Sequence, residues 1–169
     1  MEPANSPAYR IVSTHEIAEV RQQISNGQNG LFTLKSYQPG EVIADFSAGT
    51  ISAEPTYLTV QIDTAKHITL QPDFLQYINH SCEPNVFFNT TTMKLVALNE
   101  LHPQDELIFF YPSTEWKMNQ PFDCYCGHTC CQGEIRGGAY LSKEAREKYQ
   151  LTDFIQQQLA KQDARKKVA

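Results

Sequence analysis

Apolar and polar positions alternate along most of this chain in short runs closed by Gly, Pro or Asn. That period-two pattern predicts strands rather than helices. Gly30–Lys35 and Glu41–Phe46 flank a Gln38-Pro39-Gly40 turn, and Thr56–Gln61 and His67–Leu70 alternate in turn. Asn85–Asn89, Lys94–Ala97 and Glu106–Tyr111 complete the series, at spacings of roughly 8–12 residues, with no internal repeat. Thr14–Ile24 sets Ile17, Val20 and Ile24 against Glu16, Glu19 and Arg21, which predicts a short amphipathic helix N-capped by Thr14. The tail also changes period. Leu141–Tyr149 and Thr152–Lys161 read as helices capped by Ser142 and Thr152, burying Leu141, Ala145 and Tyr149 on one and Ile155 and Leu159 on the other. Residues 1–10 read as a loosely held arm. The fold class expected is a β-rich α+β body with a helical tail.

The chain has 169 residues, the scale of one domain with a small appendage. Hydrophobic residues make up 41% and aromatics 11%, enough for a packed core, while the mean hydropathy is −0.44. No apolar run approaches the ~18–20 residues of a membrane helix. The start, MEPANSPAYR, has no apolar secretory core, so an intracellular compartment, cytoplasmic or nuclear, is expected. The net charge of −5 divides unevenly, at −7 over residues 1–111 and +2 over residues 112–169. An acidic body argues against direct nucleic-acid binding, which needs clustered cations. Arg165, Lys166 and Lys167 read as a solvated helix end, with a nuclear-localisation patch as the competing reading.

Three peptides carry chemistry. In Cys124-Tyr-Cys126-Gly-His-Thr-Cys130-Cys131, closely spaced thiols supply three ligands of a tetrahedral metal site: Cys124, Cys126, and either Cys130 or Cys131. Cys82 and His128 compete for the fourth place. Asn79-His80-Ser81-Cys82-Glu83-Pro84-Asn85 taken alone is a polar turn with a candidate His base, and Glu106–Tyr111 is an apolar strand ending in a phenol.

In this order and spacing, the three peptides resemble SET-domain methyltransferases with a post-SET zinc segment. The N-H-S-C-x-P-N motif stands at Asn79–Asn85, E-L-x-x-x-Y at Glu106–Tyr111, and C-x-C-x4-C at Cys124, Cys126 and Cys131. Upstream, Gln28-Asn29-Gly30-Leu31-Phe32 followed by Gly40-Glu41-Val42-Ile43 is similar to the family's cofactor turn. The resemblance covers residues 28–137. It implies a fold of small curved sheets with a threaded C-terminal segment, divided here into an N-terminal arm and short helix (1–26), a SET domain (27–112), a post-SET zinc segment (113–138) and C-terminal helices (139–169). The implied donor is S-adenosylmethionine, held by Asn29, Gly30, Leu31, Asn79 and His80, with Tyr57 and Ile135 as further contacts. The implied zinc ligands are Cys82, Cys124, Cys126 and Cys131. Tyr111 is implied as the catalytic residue, with Phe109 and Tyr77 walling the acceptor channel.

Three acceptor-side positions and one position of the cofactor turn depart from the family. Phe46 stands where many members carry a Tyr, Gln76 replaces an Arg, Phe110 replaces the Asp before the Tyr, and Gln28 replaces the first turn Gly. Trp116, in an insert over Pro112–Phe122, reads as an anchor for the post-SET arm rather than an acceptor contact. The leading expectation is therefore a protein-lysine methyltransferase. The alternative is a SET enzyme acting on a small-molecule carboxylate or amine, with Lys35, Lys94 or Arg136 as the cation for a carboxylate. A zinc-stabilised binding module without activity is a further alternative, and the short insert before Asn79 suggests completion by a second subunit in a homodimer.

Overall fold

A computed structural model describes residues 7–168. The strands are β1 (Tyr9–Thr14), β2 (Ala18–Gln23), β3 (Asn29–Thr33), β4 (Val42–Asp45), β5 (Ser47–Ser52), β6 (Val60–Asp63) and β7 (Lys66–Gln71), then β8 (Asn79–His80), β9 (Val86–Asn89), β10 (Lys94–Ala97), β11 (Glu106–Phe109), β12 (Phe122–Asp123) and β13 (Glu134–Ile135). Helices α1 (Lys143–Lys148) and α2 (Asp153–Val168) follow. The strands form four small sheets, ordered β1-β2-β3-β11-β8, β4-β10-β9, β5-β7-β6 and β12-β13. The seven strands expected from alternation are all present, with ends displaced by a few residues. Among the described residues no helix is long and apolar enough to cross a membrane.

The helix expected over Thr14–Ile24 is absent. Those residues contain strand β2, which pairs with β1 on one side and β3 on the other. Ile17, Val20 and Ile24 fit a helical spacing, but the buried set is Ala18 and Val20, spaced by two, while Ile24 is exposed. The open edge of β3 decides this, because a strand there pairs its main chain on both sides. The arm expected over residues 1–10 is corrected in part, since Tyr9 and Arg10 begin β1; residues 1–6 lie outside the described residues. As far as it is described, the segment expected as a separate arm is thus integral to the largest sheet.

Two cores organise the molecule. The first fills the space between the sheets with Val20, Leu31, Ile68, Phe88, Leu95 and Leu107. The second gathers the tail around Cys82, with Phe110, Ile135, Ala145, Tyr149, Ile155 and Leu159. Ser142 caps α1, its Oγ accepting from the Ala145 amide at 3.1 Å, and Thr152 Oγ1 accepts from the Ile155 amide at 3.4 Å, as the sequence predicts. Phe110 stacks on Tyr149 at 3.7 Å between centroids, and the Tyr149 hydroxyl donates to the Cys82 carbonyl at 2.7 Å. An apolar residue at 110 is explained by this stack. Trp116 packs on the same core, and its carbonyl lies so close to Gly137 (φ 113°) that a Cβ there would fall 2.6 Å from it. Only glycine satisfies both that φ and that contact.

Candidate active site

The parallel pairing of β8 with β11 builds the site, matching Asn79 to Ile108 and His80 to Phe109. Two asparagines hold this register. Asn79 Nδ2 donates to the Asn29 carbonyl at 2.8 Å and to Glu106 Oε1 at 3.0 Å, tying β8 to β3 and β11. Asn85 Nδ2 donates to the Glu106 carbonyl at 2.8 Å, while its Oδ1 accepts from the Ile108 amide at 2.9 Å. Such bonds satisfy buried main-chain groups that a two-residue strand leaves open. His80 Nδ1 then accepts from the Tyr111 amide at 3.2 Å. Burial holds the His80 pKa down at about 4, so the ring is neutral near pH 7 and free to accept.

A polar cavity of about 280 Å³ opens on one side of this junction, lined by Asn29, Gly30, Asn79, His80, Glu106 and neighbouring residues. The structure therefore brings together four of the residues expected at the donor. Leu31 follows in β3 but does not line this cavity, its side chain being fully buried in the first core. Asn29 Oδ1 is buried here without a partner. At Gly30 a Cβ would fall 2.7 Å from Glu106 Oε1 and 3.3 Å from Asn79 Nδ2, so glycine permits this side chain to cross the strand. A polar cavity with a carboxylate and an unsatisfied amide oxygen fits a ligand that carries donors, as S-adenosylmethionine does with its amino and hydroxyl groups. Tyr57 and Ile135 are not brought to this cavity. Tyr57 is 85% exposed, and Ile135 lies in the second core.

A second, mainly apolar cavity of about 310 Å³ is walled by Leu75, Ile78, Phe88, Phe109, Tyr111 and Phe122, with Tyr57 at its exposed side. Phe109 thus takes the place expected for it. Tyr77 does not: it packs on the first core, and Gln76 lines the cavity instead. Phe46 is also removed from this cavity, buried edge-to-face on Phe88 with centroids 5.4 Å apart. Tyr111 belongs to both sides of the junction, its ring in this wall and its amide bonded to His80. Its hydroxyl lies 3.4 Å from the Ile78 carbonyl. Burial, and after it the charges of Glu106 and Glu115, push the Tyr111 phenol up to about 12.

Glu115 lines the same cavity and has no counterpart in the sequence reading. It is 8% exposed, and its Oε1 accepts from the Gln61 amide at 2.8 Å and from the Thr114 hydroxyl at 3.3 Å. Burial pushes its carboxyl up to about 7, against the lowering effect of those two donors. A lone Glu inside an insert carries no motif, so only the burial of its surroundings reveals it.

The Sγ atoms of Cys82, Cys124, Cys126 and Cys131 lie within 4.8 Å of one another. Those of Cys82 and Cys124 are 3.9 Å apart, close to the ~3.8 Å edge of a tetrahedron with 2.3 Å zinc–sulfur bonds. The donor set therefore fits a structural zinc ion. Burial pushes the Cys82 and Cys124 thiols up. At Cys126 burial also acts upward but is outweighed by hydrogen bonds, those from the His128 and Cys82 amides foremost, and the thiol falls to about 6. Cys130 is turned aside, its Sγ 3.2 Å from the Cys82 carbonyl. His128 Nδ1 pairs with Glu83 at 2.6 Å.

A family model described as SET domain matches residues 28–112. Methyltransferase flvH of Aspergillus flavus is 35% identical over 130 residues, 76% of this chain and 72% of that protein. ASHH4 of Arabidopsis thaliana, named as a candidate histone-lysine N-methyltransferase, is 30% identical over 66 residues, 36% of this chain and 18% of its own. Among solved structures, KRYPTONITE in complex with mCHG DNA and SAH superposes with a TM-score of 0.55 and 22% identity. The match covers 72% of this chain and 30% of the KRYPTONITE chain, and at that identity it is a likeness of fold.

Proposed function

The chain belongs to the SET-domain family and is an S-adenosylmethionine-dependent methyltransferase, and we propose that its acceptor is an amine, in the leading case the side chain of a protein lysine. The observation that carries this reading is Tyr111, whose ring lines the apolar cavity and whose amide bonds His80 of the polar one. S-adenosylmethionine, when bound, supplies a methyl group already activated on a sulfonium. Asn29, Gly30, Asn79 and His80 are the residues that would hold it. The chain's own contribution is then positioning and electrostatics. The neutral Tyr111 hydroxyl and the Ile78 carbonyl would orient the acceptor nitrogen. A lysine amine starts near pKa 10.4 and has to lose a proton before its nitrogen can take the methyl group.

We assign Cys82, Cys124, Cys126 and Cys131 as ligands of a zinc ion that joins the tail to the body. A second copy completing the short acceptor side is part of the same proposal; light scattering that shows a monomer at working concentration would remove it. The test of the acceptor class is incubation with methyl-labelled S-adenosylmethionine and separate pools of basic peptides, small amines and small carboxylic acids. Label in the peptide pool is expected. Label confined to carboxylic acids would overturn the amine reading, and label confined to free amines would overturn the protein lysine.

A further inference from the structure

The apolar cavity holds one group that the transfer chemistry leaves unused. Glu115 stands in a wall that is otherwise aliphatic, aromatic or uncharged, and among the described residues no Lys, Arg or His lines the cavity. Only Oε1 of its carboxylate is spent on the protein, on the Gln61 amide and the Thr114 hydroxyl. Among the described residues Oε2 makes no hydrogen bond and is not sealed from solvent, and Glu115 is one of the residues that line the cavity. We propose that Glu115 is the specificity-determining residue of the acceptor site, receiving a cationic amine through Oε2 and rejecting carboxylates. This inference rests on the amine reading above and narrows it.

The chemistry of the wall supports the assignment in both directions. An ammonium group entering between Phe88, Phe109, Tyr111 and Phe122 meets ring faces that attract cations and one acceptor oxygen. A carboxylate entering the same space meets a like charge and no cation. The three cations that could have received one are engaged elsewhere: Lys35 pairs with Glu16 at 3.0 Å, Lys94 with Asp45 at 2.6 Å, and Arg136 lies over the Tyr140 ring at 4.0 Å. Burial of Glu115 favours its neutral form when the cavity is empty, so an arriving cation supplies the compensating charge.

The test is calorimetric titration of the purified full chain with n-pentylamine, 1-pentanol and pentanoate at pH 8. The amine is cationic there, and Glu115 is largely ionised. Glu115→Gln keeps an oxygen for the Gln61 amide, and Glu115→Asp keeps the charge. Pentylammonium affinity is expected to fall about tenfold or more in the Gln variant, to recover partly in the Asp variant, and pentanol affinity to stay within twofold. Equal weakening of amine and alcohol would reduce Glu115 to a structural role. Unchanged amine affinity, no measurable pentylammonium binding to the wild type, or pentanoate binding as tight as the amine would each overturn the proposal.

A kinetic arm compares a basic peptide with free n-pentylamine under labelled S-adenosylmethionine, which separates a protein lysine from a free amine. For whichever is methylated, Glu115→Gln is expected to raise KM about tenfold while kcat changes less than threefold. Methylation with an unchanged KM would count against Glu115 alone. Absence of label from both amines would count against the amine reading and leave the binding arm to decide Glu115.

Discussion

The two cavities linked by the bond from the Tyr111 amide to His80 are built in opposite ways. The polar one takes its defining residues from short contiguous motifs, Asn29-Gly30 and Asn79-His80, and holds them by main-chain pairing and two asparagine side chains. The apolar one draws on residues scattered from 55 to 122, joined mainly by packing and by a few bonds such as that from the Tyr111 hydroxyl to the Ile78 carbonyl. A site fixed by backbone register tolerates little variation, because one residue of slip reverses every side chain. A site fixed by packing can be re-lined one residue at a time. The departures at Phe46, Gln76 and Phe110 and Glu115 fall outside the polar cavity, whereas the departure at Gln28 lies in its lining.

The largest expected effect tests the residue that links the two cavities. Tyr111→Phe should lower turnover by about 10²-fold or more while donor affinity, measured by calorimetry, stays unchanged; loss of donor binding instead would merge the two sites into one. Next, Cys131→Ser should lose the bound metal, measured as zinc per chain by elemental analysis, and lower the melting temperature. Cys130→Ser should retain both, since its Sγ is turned to the Cys82 carbonyl. Reversed results would move the ligand by one position.

A smaller effect separates the cavities from the other side. Gly30→Ala forces a contact with Glu106 and Asn79, and should weaken donor binding by about tenfold while n-pentylamine binding is preserved. Equal loss of both would mean that the polar cavity also shapes the acceptor side.

A further effect is one of stability. The folded pKa of Glu115 is raised to about 7 from the ordinary carboxylate value, so the folded state holds the proton more tightly than the unfolded chain. Its contribution is complete below pH ~4.5 and is lost as pH rises through about 7. Glu115→Gln should therefore stabilise the protein at pH 8 by ~1–3 kcal/mol and by less at pH 5, read from denaturant midpoints. An equal gain at both pH values would detach the effect from ionisation.

What could be read from the chain alone follows the same division. The short strands and the two tail helices follow from alternation and capping residues. The three chemical motifs were legible because their chemistry depends on residue types at fixed spacing, which short segments preserve. Thr14–Ile24 was misread because helical and extended spacings overlap in so short a stretch, and the unpaired edge of β3, a partner distant in space, settles the choice. Tyr77 and Ile135 were misplaced for a related reason: an apolar residue's spacing says that it is buried and not against what.

By itself, then, the sequence determined the family and pointed to Asn29, Gly30, Asn79, His80 and the tail thiols as candidates, since each is a local pattern tied to a chemical need. Only the tertiary structure decided that Cys82 joins the tail thiols and that His80 bonds to Tyr111. It alone placed Glu115 in an apolar wall that, among the described residues, no Lys, Arg or His lines. Those are relations between segments about 30 to 50 residues apart. The free energy that sets them comes from packing and desolvation, which no single segment carries.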